Sequence, residues 1–212
     1  MEDAPYTLSI PEEQQRRLGM LTLPHMEPLT GYVASLRANL GEQYHIPNFD
    51  PCDGGIQARV LFLLEAPGPK AKASKFVSSN NPDPTAKNLW NLIRNAGIAR
   101  TDTLIWNIVP WYVGTGEHIL PVNAADIRQA LPHLNELLAL LPRLEMIVLV
   151  GSKAQYAEPQ IRLLTSRSIP KVSIKHTYHM SALVFNTSPE RRRLIEGSFS
   201  GIAKELNDKC LN

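Results

Sequence analysis

Arg59-Val60-Leu61-Phe62-Leu63-Leu64-Glu65-Ala66-Pro67-Gly68-Pro69 joins a short, unbroken apolar run to a loop rich in proline. A run of this length, bounded in this way, reads as a strand buried on both faces, as in a parallel sheet. Three further runs share its character: Thr103 to Val109, Glu145 to Gly151 and Pro170 to His176. Helical patterns separate them. Asp83 is placed to cap a helix that has Pro84 at its first position, carries Leu89, Leu92, Ile93 and Ala96, and stops at Gly97. Ile127, Leu131, Leu134, Leu138 and Leu141 recur at alternating four- and three-residue spacing, the stripe of an amphipathic helix. A third helix is expected from Gly151 toward Leu164, and Ser188-Pro189 opens a last one with Leu194, Ile195, Ile202 and Leu206. The order βαβαβαβα with right-handed crossovers predicts a three-layer α/β/α sandwich around a four-stranded parallel sheet.

The chain has 212 residues, 43% hydrophobic and 20% charged, enough to bury one full core. Residues 58–212 are expected to form this α/β domain, with residues 1–57 as an ancillary segment packed on it, carrying a helix near Leu29 to Leu40 and no catalytic role. Its 17 prolines are scattered instead of forming a tract. There is no charged-then-apolar leader and no bilayer-length apolar run, so a cytoplasmic, nucleoid-associated location is the expectation. Cys52 and Cys210 supply too few thiolates for a four-cysteine zinc or iron-sulfur site, and no metal or cofactor is expected. A formal net charge of +2 allows local contact with a polyanion but does not identify one.

Ligands of open α/β sheets bind outside the carboxyl ends of the strands. Three unusual segments meet that description: Glu65 to Pro69, Asn107-Ile108-Val109-Pro110-Trp111, and His176 to Leu183. Leu64-Glu65-Ala66-Pro67-Gly68 resembles the GEAPG form of the first motif of the uracil-DNA glycosylase superfamily. His179-Met180-Ser181-Ala182-Leu183 resembles a degenerate HPSPL, its last motif. Between them, Phe76 is placed like the superfamily's stacking aromatic and Asn107 like its base-reading asparagine; the resemblance covers roughly residues 58–205. It implies a monomeric, cofactor-free enzyme that flips uracil, or a related damaged base, out of DNA and hydrolyses its N-glycosidic bond. An abasic site remains.

The chemistry suits the residues. A base drawn from the stack needs an aromatic plate and a polar reader. Phe76 suits the first task; an ordinary core phenylalanine is its alternative, and the polar, lysine-containing neighbourhood of Lys70, Lys72, Lys75 and Ser78 to Asn81 favours the pocket. The Asn107 amide can accept from uracil N3–H and donate to O4, a pattern cytosine reverses; a role buttressing the strand end is its alternative. His179 can hydrogen-bond the base O2 as negative charge develops there, with backbone N–H groups around Glu65 and Ala66 completing an oxyanion-hole equivalent. His176 competes with it, but only the His179 register brings Ser181 and Leu183 into line with the motif.

Other positions depart from the pattern. The aspartate of the best-known branch falls on Ala66, and the later glutamate of the GEAPG branch falls on Ala71. Glu65 and Asp83 are the nearby acids, and Asn80 and Asn81 are neutral candidates for holding water; Asp83 is also explained as a helix cap. Gly68, beside Pro67 in the expected base pocket, stands where a tyrosine excludes the 5-methyl of thymine, so larger bases gain room. Lys70, Lys72 and Lys75, then Ser181 and Arg191, Arg192 and Arg193, are expected to grip DNA phosphates. Pro69, Trp111 or a loop after Leu183 is expected to wedge the duplex. The missing carboxylates keep a second reading open, a catalytically weak or inactive protein that binds abasic or damaged DNA.

Overall fold

The computed structural model describes residues 3–41, 43–115, 120–168 and 171–209. Pro170 and Cys210 lie outside them. Strands β2 (Val60–Leu64), β4 (Thr103–Asn107), β5 (Met146–Val150) and β6 (Ser173–Thr177) form one parallel sheet in the order β4-β2-β5-β6. Every residue of β4 and β5 is buried, as the unbroken apolar runs require. In-register pairing of Leu63 with Trp106 and of Phe62 with Ile105 decides which side chains share a face. On one face, Trp106 stacks on Phe49 and meets the edge of Tyr32 from α2 (Glu27–Leu40). On the other, Phe62 stacks on Phe199 of α9 (Pro189–Asp208) at 5.3 Å. Helices thus cover both sides, giving the expected three layers.

The central crossovers follow the capping chemistry. Asp83 caps α4 (Pro84–Asn95) by accepting from Ala86 N at 2.9 Å. Asn123 and Asp126 close a reciprocal capping box on α5 (Ala124–Ala139). The third crossover is two helices, α6 (Gly151–Tyr156) and α7 (Glu158–Ser168), where one was expected. Ser181 caps a short α8 (Ala182–Thr187), and Ser188 then caps α9. No helix among the described residues is long and apolar enough to cross a membrane.

The N-terminal segment is more closely joined to the sheet domain than its description as ancillary suggests. Besides α2 it contains α1 (Pro11–Gly19) and β1 (Asn48–Phe49), and β1 pairs in parallel with β3 (Phe76–Val77) in the loop that follows the first motif. A buried ionic cluster reinforces the join. Arg17, 1% exposed, bonds Glu13, Asp50 and the Asn80 Oδ1, while Arg100 bonds Asp3, Asp50 and Asp53. Asp50 also accepts from Ser78 Oγ, so the cluster reaches the loop directly. Burial, opposed by Arg100 and reinforced by Asp50, pushes Asp53 up to about 7.

Removing one member of a buried ionic network costs up to about 3–5 kcal/mol; without Arg17, Asn80 Oδ1 loses its cation, while Glu13 keeps Arg16 and Asp50 keeps Arg100. Arg17→Ala is therefore expected to destabilise the fold by at most about that amount. A urea titration checks this: the midpoint should fall at an unchanged slope, and an unchanged midpoint would mean the cluster contributes nothing.

Candidate active site

A cavity of about 630 Å³ opens at the carboxyl ends of β2 and β4. That volume lies within the range of small-molecule sites, about 300–1,000 Å³. Its floor is set by the sheet. Ile105 and Asn107, two residues apart, point to the same side and both line it, with Leu64 beside them on β2. Pairing continues past the strand ends, since Ile108 N donates to Leu64 O and Val109 N to Glu65 O. The first motif and the Asn107 strand end are thereby locked side by side.

Glu65, Ala66, Pro67, Gly68, Lys70 and Ala71 form one wall, and Asp83 to Ala86, at the start of α4, form another. His179 enters from the loop after β6. Two residues that the sequence reading passed over hold that loop in place. Asn88 of α4 donates to Met180 O at 2.9 Å, and Gly151, with φ +79°, lies against His179. A Cβ at Gly151 would come within 3.1 Å of His179 Cβ, so glycine permits both the left-handed turn and the close approach. A glycine ending a strand and opening a helix was the available signal; its neighbour across the fold was not visible.

Asn107 is 4% exposed, and its Nδ2 has no hydrogen-bond partner among the described residues. Most buried polar groups are paired, so an orphaned donor at a cavity wall calls for a ligand. Burial holds His179 below the usual histidine range, against the opposing pull of Glu65 and Asp83, and so favours the neutral imidazole. Burial raises Asp83, opposed by its bonds to the backbone of Ala86 and Thr85 and then by His179 and Lys70. Glu65 Oε1 accepts from Val122 N at 3.1 Å.

The remaining expected residues separate. Phe76 is fully buried and does not line the cavity; its neighbour Val77 does. Pairing with β1 decides this, because successive residues of a strand face opposite sides. Asn80 is also turned away: its Nδ2 donates to Asp3 and Ala4 O, and its Oδ1 accepts from Arg17. Asn81 lines the cavity, but its amide joins Ser74 Oγ to Phe76 O and so ties the loop together. Lys70 stands at the cavity, whereas Lys72 and Lys75 line a separate groove. Outside the cavity, Ser181 caps α8, Arg191 lies over the Tyr178 ring, and Arg192 lies over Phe185 and pairs with Glu196. His176 pairs with Glu158 at 2.7 Å and takes no part in the cavity wall. Of the expected wedges, Trp111 is 3% exposed and lies in the core, Pro69 lines the cavity, and the loop expected after Leu183 is instead helix α8, on which Leu183 itself is 73% exposed.

The model of the uracil DNA glycosylase superfamily matches residues 51–199. The chain belongs to the uracil DNA glycosylase superfamily. The crystal structure of wild-type SMUG2 from Pedobacter heparinus is similar at 14% identity, with a TM-score of 0.54, covering 88% of this chain and 86% of that one. A solution structure of a candidate uracil DNA glycosylase from Methanosarcina acetivorans is similar at 15% identity, with a TM-score of 0.45, covering 69% and 94%. None of the curated proteins compared matches in sequence. Superfamily membership supports glycosylase chemistry and DNA as the partner; the particular base is a separate question.

Proposed function

We infer that the protein is a monofunctional glycosylase that flips uracil from DNA into this cavity, hydrolyses its N-glycosidic bond and leaves an abasic site, acting as a monomer in the nucleoid. The orphaned Asn107 Nδ2 carries the reading. A flipped uracil offers O4 to that donor and N3–H to the Asn107 Oδ1, while cytosine offers the reverse and would leave buried groups unpaired. As the bond breaks, negative charge grows on the pyrimidine, and the one N–H of neutral His179 donates to O2. Val77, in place of an aromatic, is the apolar surface beside the base. Asp83, across the cavity, is the carboxylate assigned to water and the sugar cation. Leu183 is the group assigned to fill the gap in the duplex.

Uracil-containing single- and double-stranded oligonucleotides, incubated with the protein in EDTA and then treated with alkali, test the reading: strand cleavage at uracil supports it. Retention of abasic DNA with no cleavage supports instead a binder without hydrolysis. One observation favours that second reading. Ala66 and Ala71 line the cavity where related enzymes carry acids, and among the described residues the two lining carboxylates, Glu65 and Asp83, already hold backbone N–H groups.

Gly68 bears on substrate breadth. Its φ is −81°, which any residue adopts, and an added Cβ would meet nothing within 4 Å. The space is real and glycine is not required by the backbone. Gly68→Tyr is expected to fold normally and to increase discrimination between uracil and its 5-methyl analogue by about 10- to 200-fold. Competition between the two bases in one oligonucleotide measures the ratio; an unchanged ratio would show that the 5-position lies elsewhere.

A further inference from the structure

A groove of about 490 Å³ lies across α3 (Pro69–Ser74) from the cavity. Lys70 lines the cavity and Lys72 the groove, so this one short helix is the ridge between them. Arg37, Tyr44, His45 and Asn48 form the opposite wall, all from the segment before residue 51, where the superfamily match begins. The groove's described lining residues include Arg37, His45, Lys72 and Lys75 and no carboxylate. Arg37 is fastened to Ile46 O and Asn48 Oδ1, which makes that wall rigid.

Lys75 adds an independent observation. It is the C-cap of α3 with φ 70°, a left-handed position where glycine or asparagine is usual. Its carbonyl accepts from both Asn48 N and Asn48 Nδ2, at 2.7 and 3.2 Å, so the unfavourable backbone is held by β1. A lysine kept where glycine would be easier points to use of the side chain.

We propose that this groove binds the sugar-phosphate backbone of the DNA strand flanking the flipped nucleotide, as an extension of the cavity built by the N-terminal segment. The proposal rests on the glycosylase reading for the direction of the strand, but its test does not use uracil. Cations along a groove suit the backbone of a single strand bound without regard to sequence.

Fluorescence anisotropy of the full chain with a uracil-free, single-stranded DNA of about twelve nucleotides provides the measurement. Lys72→Glu, His45→Glu and Lys75→Gly should each weaken binding by about three- to tenfold, and each lost phosphate contact should lower the salt slope by about 0.7. Lys204→Glu, an exposed charge change on α9, should have much less effect. Lys75→Gly should melt at the same temperature or higher, because it relieves the left-handed backbone. Absence of binding by the unaltered chain, or equal losses from Lys204→Glu and the groove variants, overturns the proposal. Failure of the glycosylase reading would show separately, as no abasic sites in uracil-containing DNA.

Discussion

Asn107→Ala is expected to lower uracil excision by about 10²–10³-fold, the usual effect of removing a donor that stabilises developing charge, while the protein becomes no less stable. The two outcomes together are the signature of a binding group. A buried donor without a partner costs about 1–3 kcal/mol in the free protein, and Asn107 Nδ2 is such a donor. Alanine removes that cost along with some packing, so the melting temperature should hold or rise while activity collapses. An asparagine that merely buttressed the end of β4 would behave in the opposite way, losing stability and sparing catalysis. Single-turnover excision beside a thermal melt separates the cases. Asn107→Asp sharpens the test, since a carboxylate cannot donate to O4 but can accept from the cytosine amino group, so the preference for uracil should narrow.

His179→Ala is expected to cost a similar 10²–10³-fold, and His179→Gln, which keeps a neutral N–H donor, should retain more activity than alanine. The direction of the histidine's titration supports a neutral donor, because burial outweighs the pull of Glu65 and Asp83 and lowers its pKa in the folded protein. Linkage has a definite sign here. Between the lowered folded value and the unfolded value of about 6.5, the unfolded chain binds the proton and the folded one does not. Stability associated with His179 is present above about pH 6.5 and is lost as pH falls through the folded value. The difference in stability between wild type and His179→Ala should therefore shift against wild type on acidification. A parallel pH dependence in both proteins would show that the imidazole is not held neutral by the fold.

The basic groove extends this picture beyond the reacting base. Superfamily membership accounts for residues 51–199, whereas the wall carrying Arg37, Tyr44, His45 and Asn48 precedes them. The same N-terminal segment fastens the loop after the first motif through β1 and through Arg17 and Asp50. Cavity geometry and strand contact are thus joined through one structural element, and Arg17→Ala is expected to weaken the fold at that joint.

Parallel strands covered on both faces must be apolar throughout, and the runs at Val60, Thr103 and Met146 were legible for that reason. Helix starts were legible where side-chain chemistry is local: Asp83-Pro84 and Ser188-Pro189 cap their own helices with atoms a few residues away. The motif order likewise placed Asn107 and His179 at strand ends, and the folded chain brings both to one cavity.

Contacts between distant segments could not be read in this way. Phe76 and Val77 are adjacent and both apolar, and only pairing with Asn48–Phe49 determines which of them faces the cavity. Asn80 and Asn81 look equivalent until Arg17 and Asp3 engage the first, and Ser74 and the Phe76 carbonyl the second. Gly151 acquires its meaning from His179, and Lys72 is separated from Lys70 by the ridge of α3. The sequence by itself determined the four strands of the main sheet, the capped helices α4, α5 and α9 and the end at which chemistry would occur, because periodicity and capping act over a few residues. Only the tertiary structure decided which side chains reach the cavity, because strand register and buried ion pairing depend on partners far away in the chain.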